Sequence, residues 1–269
     1  GTIMDNTVKE PLIHLSKRED MSFGKKWLVR IIAILLSLIV CAGFIFIIIK
    51  MNPVEVYEGI VEGAVGTSRR FWVTARDALT LLCVAVAVTP AFKMRFWNIG
   101  AEGQILMGCV ASAAMMIYAG NALPTGLLLV LMFVCSFIAG GIWGIIPAFF
   151  KARWNTNETL FTLMLNYVAM QVVTFCIVYW ENPAGSNSVG IINAPTRAGW
   201  LPQLFGLDYG WNLAIVLLLT VLMFIYMKRT KHGYEIAVVG ESENTARYAG
   251  INVGKVIVRT VGISGGIAG

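Results

Sequence analysis

The segment RFWNIGAEGQ, at positions 95–104, places a carboxylate and two amides between two strongly apolar stretches. Its polar side chains include Asn98, Glu102 and Gln104. A carboxylate at membrane depth costs roughly 2.5–3.5 kcal/mol, so such groups usually face protein or water and mark a pathway. One interpretation is therefore a broken segment, loosened by Gly100 and Gly103, that lines a translocation path. The alternative is a helix that begins near Gly100, with Glu102 as a first-turn charge stabilised by the helix dipole.

A second polar group lies in the sequence NTNETLFTLMLN, at positions 155–166. Three of its side chains recur every fourth residue, and they are Glu158, Thr162 and Asn166. On a helix this spacing puts all three on one face, and a polar stripe on a membrane helix should face the bundle interior. Together with Asn157, this stripe would offer hydrogen bonds to a polar solute. Hydrogen bonding between helices alone is the alternative, and Asn155 or Thr156 could cap the helix.

A third group, HGYEIAVVGESENTARYAGINVGK at positions 232–255, is much more hydrophilic than the stretches on either side. Ser242 suits a helix N-cap, and Glu243 suits the first turn that follows it. Arg247 suits the last turn, and Gly250 suits a left-handed stop. The pattern predicts a short solvated helix between two spans. Such a helix is a docking element or, alternatively, only a connector.

The composition indicates an integral membrane protein. Hydrophobic residues make up 57% of the 269 residues and charged residues 13%, against about 25% charged residues in soluble domains. The mean hydropathy is +0.73. A membrane-spanning helix needs about 20 apolar residues, and six segments qualify, at about 28–49, 77–92, 102–119, 125–149, 158–180 and 211–227. These segments predict an all-α, polytopic transmembrane bundle. A seventh segment begins near Val256 and reaches only Gly269, so we expect a truncated seventh span and a natural chain that continues.

The positions of Lys and Arg favour a cytoplasmic N-terminus. With that orientation, all but five of the 21 basic residues lie in inner segments, and cytoplasmic loops carry such an excess. The exceptions are Lys50, Arg69, Arg70, Arg76 and Arg197. The net charge of +6 is then explained by topology and by attraction to anionic membrane lipid, and no nucleic-acid partner is expected.

This topology divides the chain into a basic cytoplasmic arm, 1–26, and a transmembrane domain, 27–269. Within the domain we expect an outer amphipathic segment at 53–76, an outer loop at 181–210 and a cytoplasmic segment at 228–255. The outer amphipathic segment either covers the mouth of the bundle or also contacts an extracytoplasmic partner.

Small residues four apart predict close contact between helices. These pairs are Gly140 with Gly144, Gly262 with Gly266, and Gly265 with Gly269. Bundle packing is the simpler interpretation, and lining of a pathway is the alternative.

Several functions have no residues to support them. The five cysteines lie in apolar segments without a C-x-x-C spacing, and His14 and His232 lack nearby ligand partners, so no metal site is predicted. No G-x-x-x-x-G-K-[ST] loop is present to bind a nucleotide triphosphate, so any ATP hydrolysis belongs to another chain. No catalytic constellation supports a membrane-embedded enzyme.

The three polar groups, in this order, resemble permease subunits of bacterial ABC importers in the branch for nucleosides, ribose-like sugars and branched-chain amino acids. The resemblance covers about 52–269 and rests on FWNIGAEGQ, NETLFTLMLNY and GYEIAVVGESENTARYAGI. The first two motifs are most similar to nucleoside and simple-sugar permeases.

The resemblance implies that the third motif is a coupling helix, which fits a groove on the ATP-binding subunit. The coupling residues would be Glu241, Glu243, Asn244, Arg247, Tyr248 and Gly250. Where family members often have Glu-Ala-Ala, this chain has Asn244-Thr245-Ala246, so the resemblance gives the coupling role to no single glutamate.

The function implied is that of a permease subunit, itself not an enzyme, in the bacterial cell membrane, carrying a nucleoside or related sugar-like solute inward. Its implied partners are an ATP-binding subunit with ATP and Mg, a second permease subunit, a solute-binding lipoprotein and membrane lipid. The predicted pathway residues are Asn98, Glu102, Gln104, Asn157, Glu158 and Asn166. The alternative is a proton-coupled secondary transporter in which Glu102 or Glu158 relays protons.

Overall fold

A computed structural model describes residues 22–204, 206 and 209–269. Its described part contains ten α-helices and no strand. Six of these helices are long and apolar enough to cross a membrane, which confirms the predicted all-α polytopic bundle. Most of the predicted basic arm, and three positions of the predicted outer loop, lie outside the described residues.

Apart from the start of the second spanning helix, the helix bounds lie near those that the sequence patterns predict. The first spanning helix, α1, covers Phe23–Phe44 and continues as a π-helical segment, Ile45–Ile49. The others are α2 (Pro53–Val65), α3 (Ser68–Lys93), α4 (Ala101–Ala119), α5 (Thr125–Trp154), α6 (Glu158–Tyr179), α7 (Gly210–Arg229), α8 (Lys231–Glu241), α9 (Glu243–Tyr248) and α10 (Val253–Ala268).

The structure divides the stretch predicted as an outer amphipathic segment differently. Helix α2 ends at Val65, and residues from Ser68 onward already belong to the spanning helix α3. The apolar pattern placed this span at 77–92, because charged side chains lower the hydropathy of its first turns. Two of these charges, on Arg76 and Asp77, form an ion pair of 2.8 Å.

The chain divides into two compact units, and the boundary along the sequence falls between Arg70 and Phe71. In the first unit, Asn52 caps α2 by accepting a hydrogen bond from the Val54 amide at 3.1 Å. The Tyr57 hydroxyl of α2 donates to the Leu38 carbonyl of α1 at 2.6 Å. In the second unit, α5 contacts α10 and α4 over long interfaces, and α6 packs on α4.

The interface between α5 and α10 brings two backbones into contact at glycine. A Cβ atom on Gly140 would overlap the Gly265 carbonyl oxygen, and it would lie 2.8 Å from the Gly269 Cα. A Cβ on Gly144 would lie 2.9 Å from the Val261 carbonyl oxygen. The predicted close contact at the spaced glycines is therefore confirmed, because no side chain separates the helices here.

At one end of the second unit, an apolar cluster holds the turn after α3 against α8, α9 and α10. Its fully buried members include Ala91, Ile236, Ala246 and Val261. A Cβ on Gly240 would overlap the Lys93 carbonyl oxygen, so α8 touches the end of α3 directly. The segment that carries α9 is thus anchored to the membrane-spanning helices by close packing.

His232, which is buried, joins three helices in the same region. On α8 itself, its Nδ1 atom is hydrogen-bonded to the Tyr226 hydroxyl of α7. Its Nε2 atom lies 3.3 Å from the Thr260 hydroxyl of α10. Burial, and then the positive charge of Arg259, lower the pKa of His232 below its ordinary value, while Glu235 and the backbone at Val256 act in the opposite direction.

We expect this joint to lose stability in mild acid. Because its pKa is lower in the folded chain, His232 takes up a proton first in the unfolded chain as the pH falls below about 6.5. Its contribution is complete above that value and declines as the pH falls toward the folded-state pKa. The temperature at the midpoint of unfolding in detergent should be lower at about pH 5.5 than at about pH 7.5. This decrease should be smaller in His232→Gln. An identical decline in the variant would contradict this assignment.

Candidate functional site

Three of the predicted pathway residues meet in one buried amide cluster. Asn98, Gln104 and Asn166 are 2%, 1% and 3% exposed. The Asn98 amide nitrogen donates to the Gln104 side-chain oxygen at 3.3 Å, and the Gln104 nitrogen lies 3.4 Å from the Asn98 oxygen. That oxygen also accepts from the Gly100 amide at 3.1 Å. The turn before α4 is therefore held closed by Asn98, which bonds the Gly100 amide and the Gln104 side chain of α4.

Asn166 clamps this turn from the neighbouring helix α6. Its side-chain oxygen accepts from the Gly103 amide at 2.9 Å, and its nitrogen donates to the Ile99 carbonyl at 3.0 Å. The amide of Gly103 is one of the first four in α4, which have no partner within the helix. A Cβ at Gly103 would lie 2.9 Å from the Asn166 oxygen, so only glycine lets α6 approach this closely.

Glu102 does not join the cluster. It lies in the first turn of α4, which begins at Ala101 after Gly100, so the predicted helix start is confirmed. Its side chain is exposed and forms no hydrogen bond or ion pair with the residues that the structure describes. A carboxylate facing lipid would be costly, so this surface should face water or another chain.

Asn157 has a structural role at the start of α6. Its side-chain oxygen accepts from the Leu160 amide at 3.2 Å, which makes it the N-cap. The prediction that Asn155 or Thr156 would cap this helix was wrong. Asn155 instead ends α5 in a left-handed conformation, with φ of 51°, which asparagine tolerates well.

Glu158 pairs with a residue that the sequence patterns did not single out. Its carboxylate lies 2.9 Å from the Lys151 ammonium, and the two side chains are 15% and 20% exposed. Both line a cleft of about 240 Å³ together with Arg95, Glu241 and Glu243. Glu158 therefore lies beside the predicted coupling segment, while Asn166, on the same face of α6, lies in the amide cluster.

One further side chain near these residues, that of Trp143, was missed. The Trp143 indole N–H of α5 is buried without a hydrogen-bond partner among the described residues. It lies beside the amide cluster, 2.9 Å from where a Cβ on Gly103 would be. Thr162, the middle residue of the predicted stripe, is fully buried and donates its hydroxyl to the Glu158 carbonyl at 2.8 Å. In sequence, Trp143 resembles any tryptophan in an apolar run, so no signal separated it.

The predicted short helix is confirmed as α9. Ser242 caps it by accepting from the Thr245 amide at 3.3 Å. Glu243 and Arg247 occupy its first and last turns and lie 3.6 Å apart as an ion pair. Gly250 ends the segment with φ of +76°.

Helix α9 buries one of its six residues, Ala246. Tyr248 is 93% exposed, and the side chains of Glu241, Glu243, Asn244 and Arg247 are exposed as well. A short, well-capped helix with one buried contact leaves nearly all its surface open to a partner.

Comparison with known proteins agrees with these features. Residues 72–269 match the family described as branched-chain amino acid transport system / permease component. The guanosine ABC transporter permease protein NupP of Bacillus subtilis is 30% identical over 249 residues, which cover 90% of this chain and 69% of that protein. The nucleoside ABC transporter permease protein NupB of Lactococcus lactis subsp. cremoris is 29% identical over 255 residues, covering 91% and 69%.

A third relative, the glucose ABC transporter permease protein TsgB13 of Haloferax volcanii, is 29% identical over 233 residues, covering 81% of this chain and 59% of that protein. No solved structure matches the chain. The resemblance based on the three polar motifs is confirmed. The chain belongs to this family of ABC transporter permeases, and it is a multi-pass membrane protein of that type.

Proposed function

We propose that the chain forms the membrane-spanning path of an ATP-driven importer for nucleosides. The observation that carries the proposal is the match, along about nine-tenths of the chain, to permeases named for guanosine and for nucleosides. A related sugar is the nearest alternative solute, because another relative is named for glucose.

In this proposal, α9 transmits the work of a separate ATP-binding subunit that holds ATP and Mg. The coupling residues are Glu241, Glu243, Asn244, Arg247, Tyr248 and Gly250. The exposure of α9 supports this role, since the helix offers a nearly free surface for docking. Close packing of Gly240 on the end of α3 supports it as well, because a push on the segment would reach the spanning helices.

We propose that this segment lies on the cytoplasmic side of the membrane, as does the N-terminus. Lys93, Lys151 and Lys228 lie in the last turns of α3, α5 and α7. Helices α3, α5 and α7 run in the same direction in the proposed topology, so their basic ends share one side of the membrane with α8 and α9. An excess of positive charge on one side is typical of the cytoplasmic face.

For the solute pathway, we assign different tasks to the six predicted residues. Asn98 and Gln104 are hydrogen-bonded to each other, and Asn166 is hydrogen-bonded to the backbone of the same turn, so these three side chains shape the wall. Asn157 and Glu158 hold the start of α6. Glu102 and the Trp143 N–H have no partner among the described residues, and they would bind hydroxylated solutes.

The transport proposal is tested by reconstituting the chain with its ATP-binding and second permease subunits in vesicles that are supplied with a solute-binding protein. We expect guanosine uptake to require ATP hydrolysis and to be absent with a proton gradient alone. Uptake driven by the gradient without ATP would identify a secondary transporter instead.

The pathway assignment needs a variant that leaves the fold intact. Glu102→Gln should lower uptake roughly tenfold, because that factor corresponds to the free energy of one hydrogen bond to a charged group. Its control is Glu55→Gln, at an exposed carboxylate in the first turn of α2. Unchanged uptake in Glu102→Gln, at equal abundance, would remove Glu102 from the pathway.

A further inference from the structure

We propose that a groove between α3 and α7 binds one anionic phospholipid, with an acyl chain in the groove and its phosphate on Lys93 and Lys228. The groove is a cavity of about 430 Å³, and α8 contributes to its wall near the lysines. Val86, Met223, Phe224 and Met227 supply most of its apolar surface. The inference requires only that the chain spans a membrane, and it does not depend on the solute.

The wall of the groove suits hydrocarbon. Two threonines line it, but the Thr89 hydroxyl donates to the Ala85 carbonyl and the Thr220 hydroxyl to the Val216 carbonyl, each at 2.7 Å. Neither hydroxyl is left in need of a ligand. A polar solute would lose its water without gaining partners here, whereas an acyl chain loses nothing.

The rim of the groove suits an anion. Lys93 lies in the last turn of α3, and Lys228 in the last turn of α7. Both side chains are exposed, and neither ammonium has a carboxylate partner in the part of the chain that the structure describes. The Lys228 ammonium lies 4.7 Å from the centre of the Phe224 ring, which holds it at the groove. Basic residues between helices at the membrane surface bind lipid phosphates.

The side chains of the groove argue against a transmembrane helix as its occupant. Where this protein packs helices closely, as at Gly140, the contact is made through glycine. The single glycine of the groove, Gly233, is covered by the carbonyl oxygens of Tyr226 and Met227 from its own chain. Flexible Met223 and Met227 would instead adapt to a mobile acyl chain.

A lipid in this groove would brace the coupling segment. Gly233 and Ala237 of α8 line the groove beside Lys93, and α8 leads directly into α9. Occupancy would stabilise the joint through which α9 meets the bundle. Anionic lipid would thereby tune coupling without touching the solute path.

Native mass spectrometry of the assembled transporter in detergent tests the proposal, with phosphatidylglycerol and phosphatidylcholine of equal chain length as probes. We expect phosphatidylglycerol to reach the same bound fraction as phosphatidylcholine at about tenfold lower lipid concentration. The double variant Lys93→Gln/Lys228→Gln should abolish this preference. The control, Lys231→Gln/Lys255→Gln, removes the same charge from exposed lysines outside the groove and should keep it. Gel filtration establishes that each variant assembles.

Two further measurements separate the lipid from other occupants. Glycerol phosphate, which lacks acyl chains, should fail to displace the lipid, and Met223→Trp, which fills the groove, should weaken binding of both lipids. Equal binding of the two lipids, or a preference that survives the double variant, would overturn the proposal. So would a disulfide from Thr89→Cys to a helix of another subunit in the assembled transporter. None of these results depends on uptake.

Discussion

Gly140→Ala should sharply reduce the amount of folded protein in the membrane. In the middle of a helix, alanine is normally favoured over glycine by about 1 kcal/mol. Here the added methyl group would overlap the Gly265 carbonyl oxygen and lie 2.8 Å from the Gly269 Cα. Both obstacles are backbone atoms, so no side chain can rotate away. Helices α5 and α10 must separate, and we expect a net loss of about 1–3 kcal/mol.

The control for this prediction lies in the same helix. Gly126 of α5 has open space where its Cβ would lie, so Gly126→Ala should leave stability unchanged or raise it. Membrane abundance and the midpoint of thermal unfolding measure both variants. Equal behaviour of the two variants would show that α5 and α10 do not meet at Gly140.

The sequence indicated that close contact would occur at Gly140, but it could not name the partner. Small residues four apart mark a helix face that permits approach, and the same spacing recurs at Gly262 and Gly266. Only the fold shows that Gly265 faces Gly140. Helix bounds were predicted well where apolar runs ended in clear caps, as at Ser242. They were predicted less well for α3, because Arg76 and Asp77 lower the hydropathy of its first half.

At the candidate site, the motifs identified residues that belong together but not what each one does. Asn98, Gln104 and Asn166 were expected to bind a solute. The structure shows the amides of Asn98 and Gln104 hydrogen-bonded to each other, and the amide of Asn166 hydrogen-bonded to the backbone at Ile99 and Gly103. The distinction depends on which donors meet which acceptors, and that geometry is not encoded in spacing. Lys151 was counted only as a topological charge, because its pairing with Glu158 requires the turn between α5 and α6.

Asn166→Asp should be strongly destabilising near neutral pH, although it changes a single atom. The retained oxygen can still accept from the Gly103 amide. The second oxygen, however, would replace a nitrogen that donates to the Ile99 carbonyl at 3.0 Å. The new carboxylate oxygen and the Ile99 carbonyl oxygen, both acceptors, would then face each other at a position where the side chain is only 3% exposed. A buried acceptor without a donor costs about 1–3 kcal/mol, and a charged one costs more.

The same chemistry predicts that acid rescues Asn166→Asp. A protonated carboxyl group can donate to the Ile99 carbonyl, so uptake of a proton by the new side chain would restore the lost hydrogen bond. The loss of stability should therefore be smaller in acid, where the carboxylate takes up a proton more readily, than near neutral pH. Thermal unfolding at about pH 5.5 and about pH 7.5 should show that the loss of stability relative to wild type is smaller in acid.

The control is Asn157→Asp, at the exposed N-cap of the same helix. Because the Asn157 side chain only accepts a hydrogen bond there, the substitution should cause no loss of stability at either pH. If both variants behave alike, Asn166 does not clamp the turn before α4.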